Sequence, residues 1–202
     1  ILWMSMLFFM STAFYWVGML ARGQADTMER LGSGLAWAAV VWRQVPPDPD
    51  GTAAARGAGV GERLRLTLVG RDAQRLQPVA DDLRVRSPAS DIAVLAADFE
   101  TASGIDAAVA ACIARAPIDQ ALVAHGWLVE QSVCEQDLQV CAQALHINAV
   151  SPALFAEAIA RHLAQRGQGT LAVIGSVAGD RGRQSNYVYG SSKALIDRYL
   201  QG

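Results

Sequence analysis

Lysine is almost absent from this chain: of seventeen lysine and arginine residues in 202, only Lys193 is a lysine. Charge of either sign is scarce, with charged residues at 18% and a formal net charge of −2. No basic stripe breaks that balance, which excludes the electrostatic footprint of a nucleic-acid-binding protein. Cysteine is limited to Cys112, Cys134 and Cys141, at spacings that fit no metal-ligand pattern. Their odd number suits no secreted disulfide framework, so they read as reduced core thiols in a cytoplasmic setting. No metal site and no internal repeat are expected.

Residues 1–20 lack charge altogether and are rich in Leu, Met, Phe and Trp. That length suits a membrane-spanning helix better than a core helix. The basic region that opens a secretory signal is missing, and the chain does not begin with methionine. Arg22 and Arg30 place the downstream chain on the cytoplasmic side. The expectation is a hydrophobic helix over 1–21 that contacts the membrane, with a fragment, fusion or misread start as the alternative. Residues 22–62 form an atypical segment. Within it Leu35 to Trp42 is an apolar run compatible with strand or helix. Pro46, Pro47, Pro49 and the Gly57–Gly61 cluster then read as linker.

From Arg63 the texture changes. Leu64 to Gly70, Ile92 to Ala97, Ala121 to Ala124 and Thr170 to Gly175 read as strands. Ala73 to Val85 and Thr101 to Ala116 read as helices, the second with Ile105, Val109 and Ile113 on one face. Glu135 to Arg166 is expected as one long helix, bent near Pro152, and a last helix starts near Tyr189. This alternation predicts an α/β fold, a doubly wound parallel sheet of Rossmann type, over 63–202. Ligands of such sheets sit beyond the carboxyl ends of the strands. Those ends carry Gly70-Arg71, Asp98-Phe99, Ala124-His125-Gly126 and Ser176.

Tyr189 and Lys193 are four residues apart, which puts them on one face of a helix. A lysine in an arginine-rich chain points to a need for a compact ammonium on a flexible stem. A free phenol has a pKa of about 10, and a neighbouring ammonium favours its ionised form. Ser176 closes its strand ahead of this pair, and Asn148 lies in the long helix. Each has a structural alternative: Ser176 as a turn cap, Asn148 as a structural hydrogen-bonder, Tyr189 and Lys193 as an exposed helix pair.

With Ser176, Asn148, Asp98 and the Tyr189/Lys193 pair together, the stretch from Leu64 to Gly202 resembles the short-chain dehydrogenase/reductase family. The resemblance implies hydride transfer between NADP(H) or NAD(H) and a carbonyl or alcohol. It implies Ser176 as donor to the reacting oxygen and Tyr189 as proton donor. Lys193 would also bind the nicotinamide ribose, and Asn148 would hold a relay water. Dimers or tetramers packed through the two long helices are implied by the same likeness. The run Gly175–Arg183 leading into Asn186–Gly190, with His125-Gly126, more closely resembles bacterial reductases of a keto-sugar carried on polyprenyl phosphate. That implies a lipid-linked sugar as substrate.

Arg71, directly after its strand, could pair with a 2′-phosphate, which favours NADP over NAD. Gly70 stands where an acid for a ribose hydroxyl is usual, with Asp72 close by. Asp98 either contacts adenine or caps the Thr101 helix. Phe99, Ala124 and Gly126, with Tyr189 and Lys193, complete the expected cofactor-binding set, and His125 reads as a pocket-wall or core residue. Arg181 and Arg183 could reach a substrate phosphate.

The likeness fails at the start. The family opens with a strand and a glycine-rich turn that seats the pyrophosphate on a helix N-terminus. Gly57, Gly59 and Gly61 leave no room for that helix before Leu64. The central strand should therefore be missing unless Leu35 to Trp42 takes its place, at the cost of a long Pro/Gly-rich crossover. The last strands of the family are also expected to be missing, because the sequence stops inside the catalytic helix.

Overall fold

The computed structural model describes residues 65–202 in full and the backbone of 38–44. The expected hydrophobic helix over 1–21 lies outside the described residues, and so does the linker expected from Gln44 to Gly61 beyond Gln44 itself. No described helix is long and apolar enough to cross a membrane.

Strand β2 (Arg65–Gly70) is buried along almost its whole length, as a strand covered on both faces must be. Its side chains alternate between two cores. Leu66 and Leu68 pack with Leu76 and Ala80 of helix α1 (Ala73–Arg86) and Ile92 of strand β3 (Asp91–Ala96). Val69 points the other way, into the larger core. That core joins Ile105, Val109 and Cys112 of helix α2 (Ala102–Arg115) to Val123 of strand β4 (Gln120–Val123). Phe155 and Ile159, fully buried, complete it from helix α5 (Ser151–Arg166). Each such side chain stabilises the fold by about 1.5–3 kcal/mol relative to exposure.

Two start signals explain the helix boundaries. Asp72 accepts the Gln74 N–H at 2.8 Å to cap α1. Thr101 accepts the Gly104 N–H at 3.1 Å to cap α2. These strands and helices fall within two residues of their expected limits.

The long helix does not form as one piece. Asp137 accepts from Gln139 and Val140, which ends α3 (Gln131–Gln136) and starts α4 (Leu138–Leu145). A π-helical segment comes next at His146–Val150, and α5 begins at Ser151 with Pro152 in its first turn. Pro152 has no N–H to give, and the widened turn stands directly before it. Strand β5 (Thr170–Val173), a 3-10 turn at Val177–Gly179 and helix α6 (Tyr187–Gln201) complete the described chain.

With β1 at Ala38–Gln44, the strand order is β3-β2-β1-β4-β5. Parallel pairing holds between β2 and β3 and between β4 and β5. The centre differs from expectation: β1 (Ala38–Gln44) fills the gap but runs antiparallel to both neighbours. Ala38 lies opposite Gly70 and Gln44 opposite Arg65. An antiparallel strand can return without a helical crossover, so a crossover helix is not required. The sheet is therefore mixed rather than parallel throughout.

Candidate active site

Helix α6 is seated first. The Val188 N–H, left free at the helix start, donates to Gln131 Oε1 at 3.1 Å. One turn on, Lys193 is buried and its ammonium donates to the Ile174 main-chain oxygen at 2.9 Å. The same ammonium lies 5.8 Å from the centroid of the Tyr189 ring. Burial pushes the Lys193 pKa down, and the Asp197 carboxylate opposes that shift. An ammonium withdrawn from water acts more strongly on a neighbouring charge than a solvated one.

Ser176 caps the 3-10 turn, its Oγ accepting the Ala178 N–H at 3.2 Å. The hydroxyl proton is left over to donate elsewhere. This turn lies flat on α6. A Cβ on Gly190 would come 2.7 Å from the Ala178 carbonyl oxygen, so only glycine lets the two backbones meet. The hydrogen bonds of Ser176 thus show the capping reading.

Asn148 is fully buried. Its Nδ2 donates to Trp127 O and Ala144 O, at 2.7 and 2.9 Å, and its Oδ1 accepts from Trp127 N at 2.7 Å. The amide is a clamp on the Trp127 peptide. That clamp draws Gly126 inward: a Cβ there would stand 3.0 Å from Asn148 Oδ1 and 3.9 Å from Lys193 Nζ.

Ala124, just after β4, is half-buried. His125 Nε2 meets Ser151 Oγ at 2.9 Å, and its ring packs edge-on against Phe99 and Phe155. It is the pocket wall anticipated. Phe99 is buried against Phe155, with ring centroids 4.9 Å apart, and also faces a cavity of about 370 Å³. Arg71, Glu100, Gly126 and Ile147 share that cavity. Arg71 is exposed, its guanidinium 4.0 Å from the Glu100 carboxylate. Asp72 is committed to capping α1 and to Arg75. Asp98 accepts the Thr101 hydroxyl at 2.5 Å and the Glu100 N–H at 2.8 Å. The Thr101 bond first, then the Glu100 bond, hold its carboxyl below the usual carboxylate range. Asp98 thus supports the cap of α2 through Thr101. Arg181 and Arg183 stand exposed in the loop before α6.

Ser176, Tyr189, Lys193, Asn148 and Gly126 therefore gather at one end of β4 and β5. Arg71, Asp98 and Phe99 stand at the ends of β2 and β3, beside the cavity. Neither Gln131 nor Ser151 has a motif signal: each works through one long-range bond that no local pattern announces.

A nicotinamide dinucleotide fits this edge only in part. The cavity that Arg71, Phe99 and Gly126 line together could take its adenosine end beside Arg71. The pyrophosphate has no counterpart among the described residues. β1 runs antiparallel, so its carboxyl end lies at the opposite edge of the sheet, away from Gly70 and Val123. A phosphate-binding turn placed after it could not face the site.

Comparison with known proteins agrees with this geometry. An uncharacterised oxidoreductase of Mycobacterium tuberculosis is 34% identical over 140 residues, 68% of this chain and 55% of that protein. The chain thus spans about half the length of that relative. A short-chain dehydrogenase from Sphingobium yanoikuyae, solved with NADPH, superposes with a TM-score of 0.61. It is 27% identical, with 68% of this chain and 54% of that one covered. An alcohol dehydrogenase of Comamonas testosteroni specific for bulky-bulky ketones gives a TM-score of 0.59 at 26% identity, with 75% and 59% covered. The family model for short chain dehydrogenases matches residues 51–201. With its α/β fold and with Ser176, Tyr189 and Lys193 gathered at the strand ends, this chain belongs to the short-chain dehydrogenase/reductase family.

Proposed function

We propose that this chain carries the catalytic half of an NAD(P)(H)-dependent oxidoreductase that interconverts a carbonyl and an alcohol. The observation that supports it most is the buried Lys193 ammonium, fixed to Ile174 O and lying beside the Tyr189 ring. The nicotinamide, when bound, supplies or accepts the hydride. Ser176 donates a hydrogen bond to the reacting oxygen, where negative charge develops, and keeps its proton. Tyr189 gives that oxygen a proton, and the Lys193 ammonium stabilises the charge left behind on the phenol. Lys193 also reaches the ribose. Asn148 holds the Gly126–Trp127 backbone open beside them and meets a relay water through what remains of its acceptor capacity.

Arg71 at the cavity, with Asp72 committed elsewhere, favours NADP(H) over NAD(H). Phe99 and Gly126, which line the cavity, would wall the cofactor with Ala124 behind them, and Asp98 would support that wall through the α2 cap. The substrate reading is a keto-sugar on polyprenyl phosphate, supported by the run from Gly175 to Gly190 and by Arg181 and Arg183 exposed beside it. Three free cysteines suit a cytoplasmic catalytic part, and the long helices suit a homo-oligomer.

The antiparallel β1 favours a second reading, a family member that does not retain cofactor. Thermal melting with NADPH and with NADH separates the two. A ligand that binds only the native state raises the melting temperature with concentration. A rise with either cofactor supports the oxidoreductase; no rise at millimolar concentration supports the second reading.

A further inference from the structure

We propose that Asp197 is a positioning residue: its half-buried carboxylate is the counter-charge of Lys193 and the wedge that seats the Ser176 turn on α6. The inference rests on the roles given above to Lys193 and Ser176. Asp197 lies four residues beyond Lys193, on the same helix face. Its two oxygens abut the two glycines that flank the serine turn. A Cβ on Gly175 would lie 3.0 Å from Oδ1, and one on Gly179 would lie 3.0 Å from Oδ2. The Gly179 position is closed further by Ala194 N at 2.9 Å. A side chain at Gly175 would displace the carboxylate, and one at Gly179 would also press on the α6 backbone and lift the turn.

The charges around it make this more than packing. Burial raises the Asp197 pKa, and Asp180 adds to the rise, while Lys193 and Arg198 oppose it. From the other side, Asp197 is the one charge that acts on Lys193 against burial. The elements packed on α6 carry further titratable groups. They are His146 in the π segment, Cys134 and Glu135 on α3, Cys141 on α4, and Glu157 on α5, which accepts the Tyr199 hydroxyl. None of these supplies Lys193 with a charge partner. Without Asp197, burial alone would govern the ammonium, and Tyr189 would lose its neighbouring cation at a lower pH.

The chain's single lysine makes the test direct, because lysine labelled at its ε-carbon gives one NMR resonance to titrate. The wild-type resonance is expected to titrate below ordinary lysine. In Asp197→Asn it should titrate lower still, because the one opposing charge is gone. Asp197→Ser, which removes charge and crowding together, should shift it in the same direction. Asp180→Asn should leave it in place. A Lys193 titration unchanged in both Asp197 variants overturns the inference. Because the readout needs no turnover, failure of the enzymatic reading shows separately, as a protein whose Lys193 titrates below ordinary lysine and responds to Asp197 but which has no cofactor-dependent activity.

Discussion

Lys193 and Tyr189 face one another across a single helical turn, the ammonium 5.8 Å from the ring centre and tied to the end of β5. A helix alone brings residues four apart to one face. It does not bury the lysine or fix its direction. Those come from the Ser176 turn lying against Gly190 and from Ile174 offering its carbonyl.

The turn's contact with α6 predicts that Gly190→Ala destabilises the protein. The new methyl would meet a backbone oxygen that cannot rotate away, a clash costing about 1–3 kcal/mol. Urea denaturation should show the midpoint falling. An unchanged midpoint would mean that the turn and helix separate freely.

Asn148→Ala should cost about 1–3 kcal/mol, because the Trp127 peptide and the Ala144 carbonyl would lose buried partners. The same measurement checks it. A cost near zero would show that water replaces the amide, which would leave Asn148 without a structural role.

Stability should also depend on pH through His162. Its Nε2 accepts the Ile118 N–H at 3.3 Å, so the folded protein needs that nitrogen unprotonated. Burial, aided by Arg166, pushes its pKa down. The unfolded chain therefore binds a proton more readily, and stability should fall as pH drops below about 6.5. His162→Gln should show a smaller fall over the same range. Equal pH dependence in the two proteins would contradict this assignment.

Cofactor discrimination should depend on Arg71. In Arg71→Ala, the affinity for NADPH should drop about tenfold or more while that for NADH stays the same, as expected for loss of one charged hydrogen bond. Fluorescence titration measures both. Equal loss for the two cofactors would remove Arg71 from phosphate recognition.

Much of the fold and site was legible in the sequence because the signals were local. Ala73 to Val85 and Thr101 to Ala116 read as helices, and the apolar runs of β2 and β4 read as strands. The Tyr189/Lys193 spacing carried its own geometry, and the scarcity of lysine made it visible. What escaped was non-local. The direction of β1 depends on neighbours far along the chain, so an apolar run at 35–42 could not reveal an antiparallel strand. The π segment at His146–Val150 answers a missing proline donor in a way that periodicity does not show. Asp98 looked as ready for adenine as for a cap, and the bond from Thr101 shows it supporting the cap.

The sharpest test of Tyr189 as proton donor is steady-state reduction of a carbonyl substrate with NADPH by the wild-type chain and by Tyr189→Phe. That variant keeps the ring beside Lys193 and removes only the hydroxyl. Its kcat should fall by a factor of about 100 or more, the usual contribution of a positioned proton donor. Melting temperature and NADPH affinity should stay unchanged. Turnover in Tyr189→Phe equal to wild type would overturn the catalytic assignment, because the proton would then come from another group.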